Sequence, residues 1–146
     1  MPARKSTFLT PTYEISFRFR RILVPVDGSE SSLRALDVAV DFAKRYGSRV
    51  VVVTSYVKGQ EEFAKVALER ARSRCSDAGI PISFKSIEVD PHNSSVPNSI
   101  VKEAAEGGYD LVIMGARGLT VSEDVQVGSV AMSIIINSPV SVLVIR

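Results

Sequence analysis

Two short stretches of the chain combine glycine with the polar groups that proteins use to hold a phosphate. Residues 115–118 read Gly-Ala-Arg-Gly, and Gly128-Ser129 open a predicted helix. Glycine lacks a Cβ, so its backbone can approach a ligand closely or adopt a positive φ. A helix start offers unpaired N–H groups and a positive dipole end to an anion, and Arg117 would add a cation. The residues alone are equally consistent with turn glycines and a serine that caps a helix.

Asp27 is a further candidate, because it ends an apolar run and could accept hydrogen bonds from ribose hydroxyls. Ser129 has no base nearby in the sequence, which favours a donor to phosphate over a nucleophile. The single cysteine, Cys75, and the single histidine, His92, exclude a cysteine zinc cage, a multi-histidine metal site and an internal disulfide. The chain also lacks the GxGxxG and GxxxxGKS/T fingerprints of two common nucleotide-binding folds.

Apolar periodicity alternates between strand-like and helix-like along the chain. Short apolar runs predict five strands, and apolar residues at three- and four-residue spacing predict four helices between them. This alternation indicates an α/β fold with an open parallel sheet and helices on both faces. The predicted strands are 22–26, 50–54, 82–89, 111–114 and 140–145, and the predicted helices lie at 33–43, 63–78, 97–105 and 128–137.

The predicted strands place the candidate residues together. Ligands of an open α/β sheet bind beyond the carboxyl ends of the strands, where the strand order reverses. Asp27 follows the first strand, residues 115–118 follow the fourth, and Gly128-Ser129 begin the next helix. The sequence therefore predicts that these residues meet at one edge of the sheet.

The glycine-rich stretches also resemble the ATP-binding branch of the universal stress protein family. Gly115, Gly118 and Gly128-Ser129 match its pattern G-2x-G-9x-G-S/T. The resemblance extends over residues 20–146, in the family's order and spacing. The segments that carry it are 21–30, similar to the first strand, 109–118, similar to the fourth, and 128–131 and 138–145, similar to the last helix and strand.

The resemblance implies a sheet in the order 3-2-1-4-5 and a regulatory protein that binds ATP, with Mg²⁺, or AMP. Hydrolysis would be slow at most, because no base is placed to activate water. Ser55, near the end of the second strand, would contact adenine, with Val57 as the alternative. The other implied site residues are Pro25, Val26 and Asp27 at the adenosine, Gly115, Ala116, Arg117 and Gly118 around the phosphates, and Gly128, Ser129 and Val130 closing on them.

Two carboxylates in the loop before the last helix leave a second function open. Glu123 and Asp124 would repel a triphosphate if they faced it, unless Mg²⁺ or another cation intervened. We favour the arrangement in which both face solvent. The alternative function is a structural or partner-interaction domain of the same family that binds no nucleotide.

Length, composition and charge indicate one globular domain with a basic extension. Of the 146 residues, 45% are hydrophobic and 23% charged, and no apolar run suggests a membrane helix or a secretory signal. The single cysteine and the lack of a secretory signal together predict that the protein is located in the reducing cytoplasm. Residues 1–20 are basic and are expected to form a solvated extension before a domain at 21–146, rather than to bind nucleic acid or a membrane surface.

The last predicted strand, 140–145, carries little charge and would lie at the edge of the sheet. An unprotected apolar edge invites pairing with a copy of itself. Together with the resemblance, this predicts a homodimer formed by antiparallel pairing of this strand. Aromatic and apolar residues spaced partly by two also suggest one additional strand at 13–19, before the five predicted strands.

Overall fold

The computed structural model of the protein describes residues 19–118 and 127–146, in which five strands alternate with four helices. Glu123, Asp124 and residues 13–18 of the suggested added strand lie outside the described residues. The strands are β1 (Arg21–Pro25), β2 (Arg49–Val57), β3 (Ile82–Val89), β4 (Leu111–Gly115) and β5 (Ser141–Ile145). The helices are α1 (Glu30–Tyr46), α2 (Glu61–Arg74), α3 (Val96–Glu106) and α4 (Ser129–Asn137).

The five strands form one parallel sheet in the order β3-β2-β1-β4-β5, as predicted. At the centre, Leu23 of β1 is in register with Val51 of β2 on one side and with Val112 of β4 on the other. The chain leaves β1 towards β2, and it leaves β4 in the opposite direction towards β5. The strand order therefore reverses between β1 and β4, where a parallel sheet leaves room for a ligand.

Helices cover both faces of the sheet, which confirms the predicted architecture. On one face, Leu36 and Ala71, from α1 and α2, join the core of Ile22 and its neighbours. On the other face, Ile100 of α3 and Ile134 of α4 pack with Leu23. Strands β1 and β4 are buried on both faces because their side chains are apolar at successive positions.

The ends of the helices follow mostly from local sequence. The Ser29 hydroxyl accepts a hydrogen bond from the Ser32 N–H at 3.2 Å and starts α1, and Gly47 ends it with a left-handed φ of 74°. Helix α2 ends at Arg74, earlier than predicted, because the chain then turns. Within residues 19–118 and 127–146, no helix is long and apolar enough to cross a membrane.

The packed structure includes a residue of the predicted extension. The ring of Phe19 lies 6.1 Å from that of Phe42 and 6.2 Å from that of Tyr46, at the end of α1. These aromatic contacts bury apolar area against the main core. The boundary predicted between residues 20 and 21 stays a prediction, with Phe19 packed just before it.

Candidate functional site

A cavity of about 310 Å³ lies beyond the carboxyl ends of the central strands. Every site residue predicted from the sequence lines it, although the residues are far apart in the chain. The binding roles themselves stay predictions. The predicted residues on its wall are Pro25, Val26, Asp27, Ser55, Gly115, Ala116, Arg117, Gly118, Gly128, Ser129 and Val130.

Asp27 is held in place by the start of α1. Its Oδ1 accepts a hydrogen bond from the Ser29 N–H at 2.9 Å, and its own N–H donates to the Ser32 hydroxyl at 3.3 Å. The preceding residue, Val26, donates its N–H to the Val53 carbonyl at 2.8 Å, which extends the sheet to the rim of the cavity. The Asp27 carboxylate is thus fixed between β1 and α1, with its second oxygen near Gly118.

The two glycines of 115–118 serve packing in a way that the sequence did not reveal. A Cβ on Gly115 would lie 2.5 Å from the Ser31 hydroxyl oxygen and 2.7 Å from the Ser31 carbonyl carbon, so β4 can approach α1 only with glycine there. A Cβ on Gly118 would lie 2.8 Å from the Asp27 Oδ2. Neither glycine has a positive φ, so the expectation of left-handed backbone at these two positions was wrong.

Helix α4 begins without a side-chain cap. Its N-cap is Gly128, whose N–H donates to the Ala116 carbonyl at 2.6 Å, and the first bond inside the helix runs from the Met132 N–H to the Gly128 carbonyl at 2.9 Å. The N–H groups of residues 129–131 therefore have no acceptor within the described part of the chain. All three residues line the cavity, which presents to it the donors and the positive dipole end of a helix.

Arg117 supplies the cation of the site. Its side chain is exposed and lines the cavity, and its backbone N–H lies 3.4 Å from the Ser31 hydroxyl oxygen. Among the described lining residues, Arg117 is the only cation and Asp27 the only carboxylate. The guanidinium has no ion-pair partner in residues 19–118 and 127–146, so it is free to meet an anionic ligand there.

The other end of the cavity lies at the end of β2. This strand continues to Val57, three residues beyond its predicted end, because its pairing with β3 continues to Val57↔Val89. Ser55 lies there, 6% exposed, and its hydroxyl is hydrogen-bonded to that of Ser99 in α3. Since β2 and β4 flank β1, these two strands lie about 10 Å apart across the sheet, roughly the distance from a base to the phosphates of a nucleotide.

Several lining residues were not identified as site residues from the sequence. Val57 was an alternative to Ser55, and both lie on the wall. Ile100 and Phe63 were interpreted only as apolar faces of helices, since the helical period does not tell a core position from a cavity wall. The further lining residues are Ser32, Tyr56, Gln60, Val96, Met114 and Ala131.

The phenol of Tyr56 lies at the end of the cavity beside β2. Burial raises the pKa of the Tyr56 phenol, and the carboxylates of Glu88 and Glu61 raise it further. The phenol therefore keeps its proton, and it lies 3.4 Å from the Glu88 carboxylate, to which it donates. In the described residues, no group of three or more histidine, cysteine or acidic side chains is placed to hold a metal ion.

Comparisons with known proteins agree with this architecture. The model of the universal stress protein family matches residues 18–146. Universal stress protein MJ0531 of Methanocaldococcus jannaschii is 30% identical, covering 88% of this chain and 82% of that protein, and universal stress protein YxiE of Bacillus subtilis is 28% identical, covering 88% and 99%. A solved universal stress protein in complex with cAMP is 28% identical, with a TM-score of 0.69 over 88% of this chain and 97% of that one. The chain belongs to the universal stress protein family.

Proposed function

We propose that this protein binds an adenine nucleotide, with ATP and its Mg²⁺ as the principal ligand, and acts as a nucleotide-responsive regulatory protein. The observation that carries the proposal is the uncapped start of α4 at Gly128, which faces the same cavity as Arg117 and Asp27. The solved relative in complex with cAMP supports an adenine nucleotide as the ligand class. AMP fits the same chemistry with fewer phosphate contacts.

The phosphates would lie against α4. The proposed donors to the phosphate oxygens are the N–H groups of residues 129–131, which have no acceptor among the described residues, together with the Ser129 hydroxyl and the Arg117 guanidinium. An anion at a helix N-terminus is favoured by the dipole as well as by these hydrogen bonds. Such a site suits a phosphate better than an uncharged ligand, because no side chain of the described residues caps the start of α4.

The nucleoside would occupy the space between β1 and β2. Asp27, already fixed through its Oδ1, can accept hydrogen bonds from ribose hydroxyls. Apolar side chains from Val26, Ile100 and Phe63 offer apolar contact area to a base. Ser55 adds one polar contact at the far end, which would fix the orientation of the base.

Mg²⁺ would be bound mainly by the phosphates themselves. Asp27 is the only described carboxylate on the wall, and one of its oxygens already accepts from the Ser29 N–H. Mg²⁺ commonly keeps several waters and takes one or two protein carboxylates together with substrate phosphates. A cation carried in with ATP therefore fits the residues present.

Efficient hydrolysis is not part of the proposal. A fast ATPase needs a residue that positions or deprotonates the attacking water. Among the described residues of the cavity wall, Asp27 is the only carboxylate, and in the proposed arrangement it binds the ribose rather than the attacking water. The site therefore supports binding with slow hydrolysis at most. We also propose the cytoplasm as its location, which suits the free thiol of Cys75.

The test is calorimetric titration of the full chain, freed of co-purified nucleotide, with ATP and Mg²⁺. Arg117→Ala is expected to weaken ATP binding about five- to tenfold and AMP binding less, since a charge-assisted contact to phosphate is lost. Lys44→Ala is the matched control, because it removes the same charge from the far end of α1, about 20 Å away along the helix.

A negative result would favour the other function. If ATP and AMP give no heat and leave the melting temperature unchanged, the nucleotide proposal is wrong, because a ligand that binds only the native state must stabilise it. The chain would then be better described as a structural or partner-interaction domain. Equal ATP affinities in Arg117→Ala and Lys44→Ala would instead contradict the placement of the phosphates.

We also propose that the protein forms a homodimer through residues 140–145. Strand β5 (Ser141–Ile145) pairs with β4 and has no second neighbour among the described strands. Its side chains from Val142 to Ile145 are only half-buried. Helix α4, which packs beside it, exposes apolar side chains as well: Met132 at 46%, Ile135 at 42% and Ile136 at 71%. Antiparallel pairing with a copy would satisfy the strand edge and cover apolar surface.

A further inference from the structure

Ser55 is a buried hydroxyl at the base end of the cavity. It lies on β2 with 6% of its surface exposed, and it forms part of the cavity wall. Its hydroxyl is hydrogen-bonded to the hydroxyl of Ser99, which lies one turn into α3. The pair joins the sheet to the helix that covers this end of the cavity.

The direction of this hydrogen bond follows from counting protons. The Ser99 hydroxyl donates to the Val96 carbonyl at 2.7 Å. A serine hydroxyl has one proton to donate and two lone pairs to accept with. Because the Ser99 proton is already used, Ser99 must accept from Ser55. The proton of Ser55 is then used in turn, and its oxygen offers only lone pairs to the cavity.

The surroundings hold this arrangement in place. The first turn of α3 is fixed by Ser95, whose hydroxyl accepts from the Asn98 N–H at 3.2 Å and whose carbonyl accepts from the Ser99 N–H at 2.9 Å. Turning the Ser99 proton away from Val96 would cost a hydrogen bond in a partly buried place. Ser55 therefore stays an acceptor when a ligand arrives.

We infer that Ser55, oriented by Ser99, is a specificity-determining residue that recognises an exocyclic amino group on the base. An oxygen that can only accept favours a base edge carrying an N–H donor over one that lacks it. This inference rests on the proposed nucleotide function and deepens it, since it names the group by which an adenine base would be read.

Two ligands that differ in one group test the inference. AMP carries the 6-amino group, and purine riboside 5′-monophosphate carries hydrogen there but is otherwise identical. In the wild-type chain, AMP is expected to bind about tenfold more tightly in calorimetric titration, which corresponds to one good hydrogen bond in a partly buried site. Equal affinities for the two ligands would overturn the inference and leave the proposed function standing.

Substitutions at Ser55 and Ser99 provide a second test of the inference. Ser55→Ala removes the acceptor, so the preference for AMP is expected to fall to about twofold or less. Ser99→Ala releases the proton of Ser55, which can then donate to a ring nitrogen of purine riboside 5′-monophosphate. That ligand is therefore expected to gain affinity. Ser99→Thr keeps a hydroxyl on α3 and should retain the wild-type preference.

The remaining outcomes are decisive as well. If Ser99→Ala keeps the wild-type preference for AMP and melts near the wild-type temperature, Ser99 does not orient Ser55. A wild-type chain that binds neither nucleotide would overturn the proposed function and the inference with it. Recovery of the preference in Ser99→Thr but not in Ser99→Ala supports the proton count over a purely structural effect.

Discussion

The glycines at the end of β4 show how one residue type can meet two demands. Gly115 lines the cavity, yet the space where its side chain would be is filled by the backbone of Ser31. Gly118 is opposed instead by the carboxylate end of Asp27. One glycine lets a strand approach a helix, and the other leaves room for a side chain that can move. Replacing the two glycines should therefore change the free energy of unfolding by different amounts.

Gly115→Ala is expected to lower the free energy of unfolding by about 2 kcal/mol, because a Cβ there meets helix backbone that cannot rotate away. Gly118→Ala should cost less than about 1 kcal/mol, since the Cβ would meet only one oxygen at the end of the Asp27 side chain, and a small shift relieves the clash while Oδ1 keeps its bond from the Ser29 N–H. Urea denaturation of both variants beside the wild type measures the difference. Equal losses in the two variants, or a larger loss for Gly118→Ala, would contradict this account.

For individual residues, the sequence predicted which ones meet at the cavity, but it did not reveal every reason for the residue type at each position. Asp27, 115–118 and Gly128 converge because the carboxyl ends of parallel strands lie at one edge, and this follows from the order of elements alone. The contact between Gly115 and Ser31 depends on how closely α1 crosses β4. That distance is set by packing of the whole core, so no local pattern contained it.

The starts of the four helices differ in how they are capped. Ser29 caps α1 and Ser95 caps α3 through their hydroxyl groups, whereas α2, at Gln60, and α4, at Gly128, begin without a side-chain cap. A missing cap leaves donors unpaired and costs stability in the free protein. An anion bound at α4, as we propose, would offset that cost and would link the occupancy of the cavity to the stability of the helix.

Gly128→Asp is expected to remove ATP binding while leaving the folded state intact. The backbone of Gly128, at φ −73° and ψ 166°, suits a capping aspartate, so the free energy of unfolding should stay within about 1 kcal/mol of the wild type or rise. The carboxylate would take the N–H groups of α4 and repel phosphate, lowering ATP affinity at least about thirtyfold. Calorimetry and urea denaturation of one sample measure both quantities.

Gly128→Asn is the matched variant for that experiment, since asparagine also caps a helix but carries no charge. Its ATP affinity should lie between those of the wild type and Gly128→Asp. If Gly128→Asp binds ATP as the wild type does, the start of α4 is not the phosphate site. If it unfolds at much lower urea, the capping argument is wrong.

The lengths of the elements were less predictable than their order. The five strands and four helices occur where apolar periodicity placed them, because burial on one or both faces leaves a period in the sequence. Tyr56 and Val57 extend β2 because β3 continues to pair with them. Such an extension depends on a neighbour from elsewhere in the chain, and it brings to the cavity wall residues that the predicted strand 50–54 did not include.

In the molecule as a whole, the two edge strands of the sheet differ in the charges that they carry. Strand β3 carries Lys85 and Glu88, exposed charges that discourage pairing with another chain. Strand β5 carries no charge from Ser141 to Ile145 and lies beside the apolar exposed face of α4. The asymmetry indicates that β3 is the protected edge and β5 the edge available to a second copy. Nucleotide sites at the β1–β4 crevice would then be held in pairs across a continuous sheet.

Val144→Pro is expected to convert the proposed dimer into a folded monomer. The Ile145 carbonyl accepts from the Ala116 N–H at 2.8 Å and so faces β4, and backbone groups alternate in direction along a strand. The N–H of Val144 therefore faces the open edge, where proline removes a donor to a second copy without breaking the bonds to β4. Val144→Ala, which keeps that N–H, should stay dimeric. Light scattering at tens of micromolar should give twice the monomer mass for the wild type and Val144→Ala, and the monomer mass for Val144→Pro. A monomeric wild type would contradict the dimer, and a dimeric, folded Val144→Pro would contradict pairing through β5.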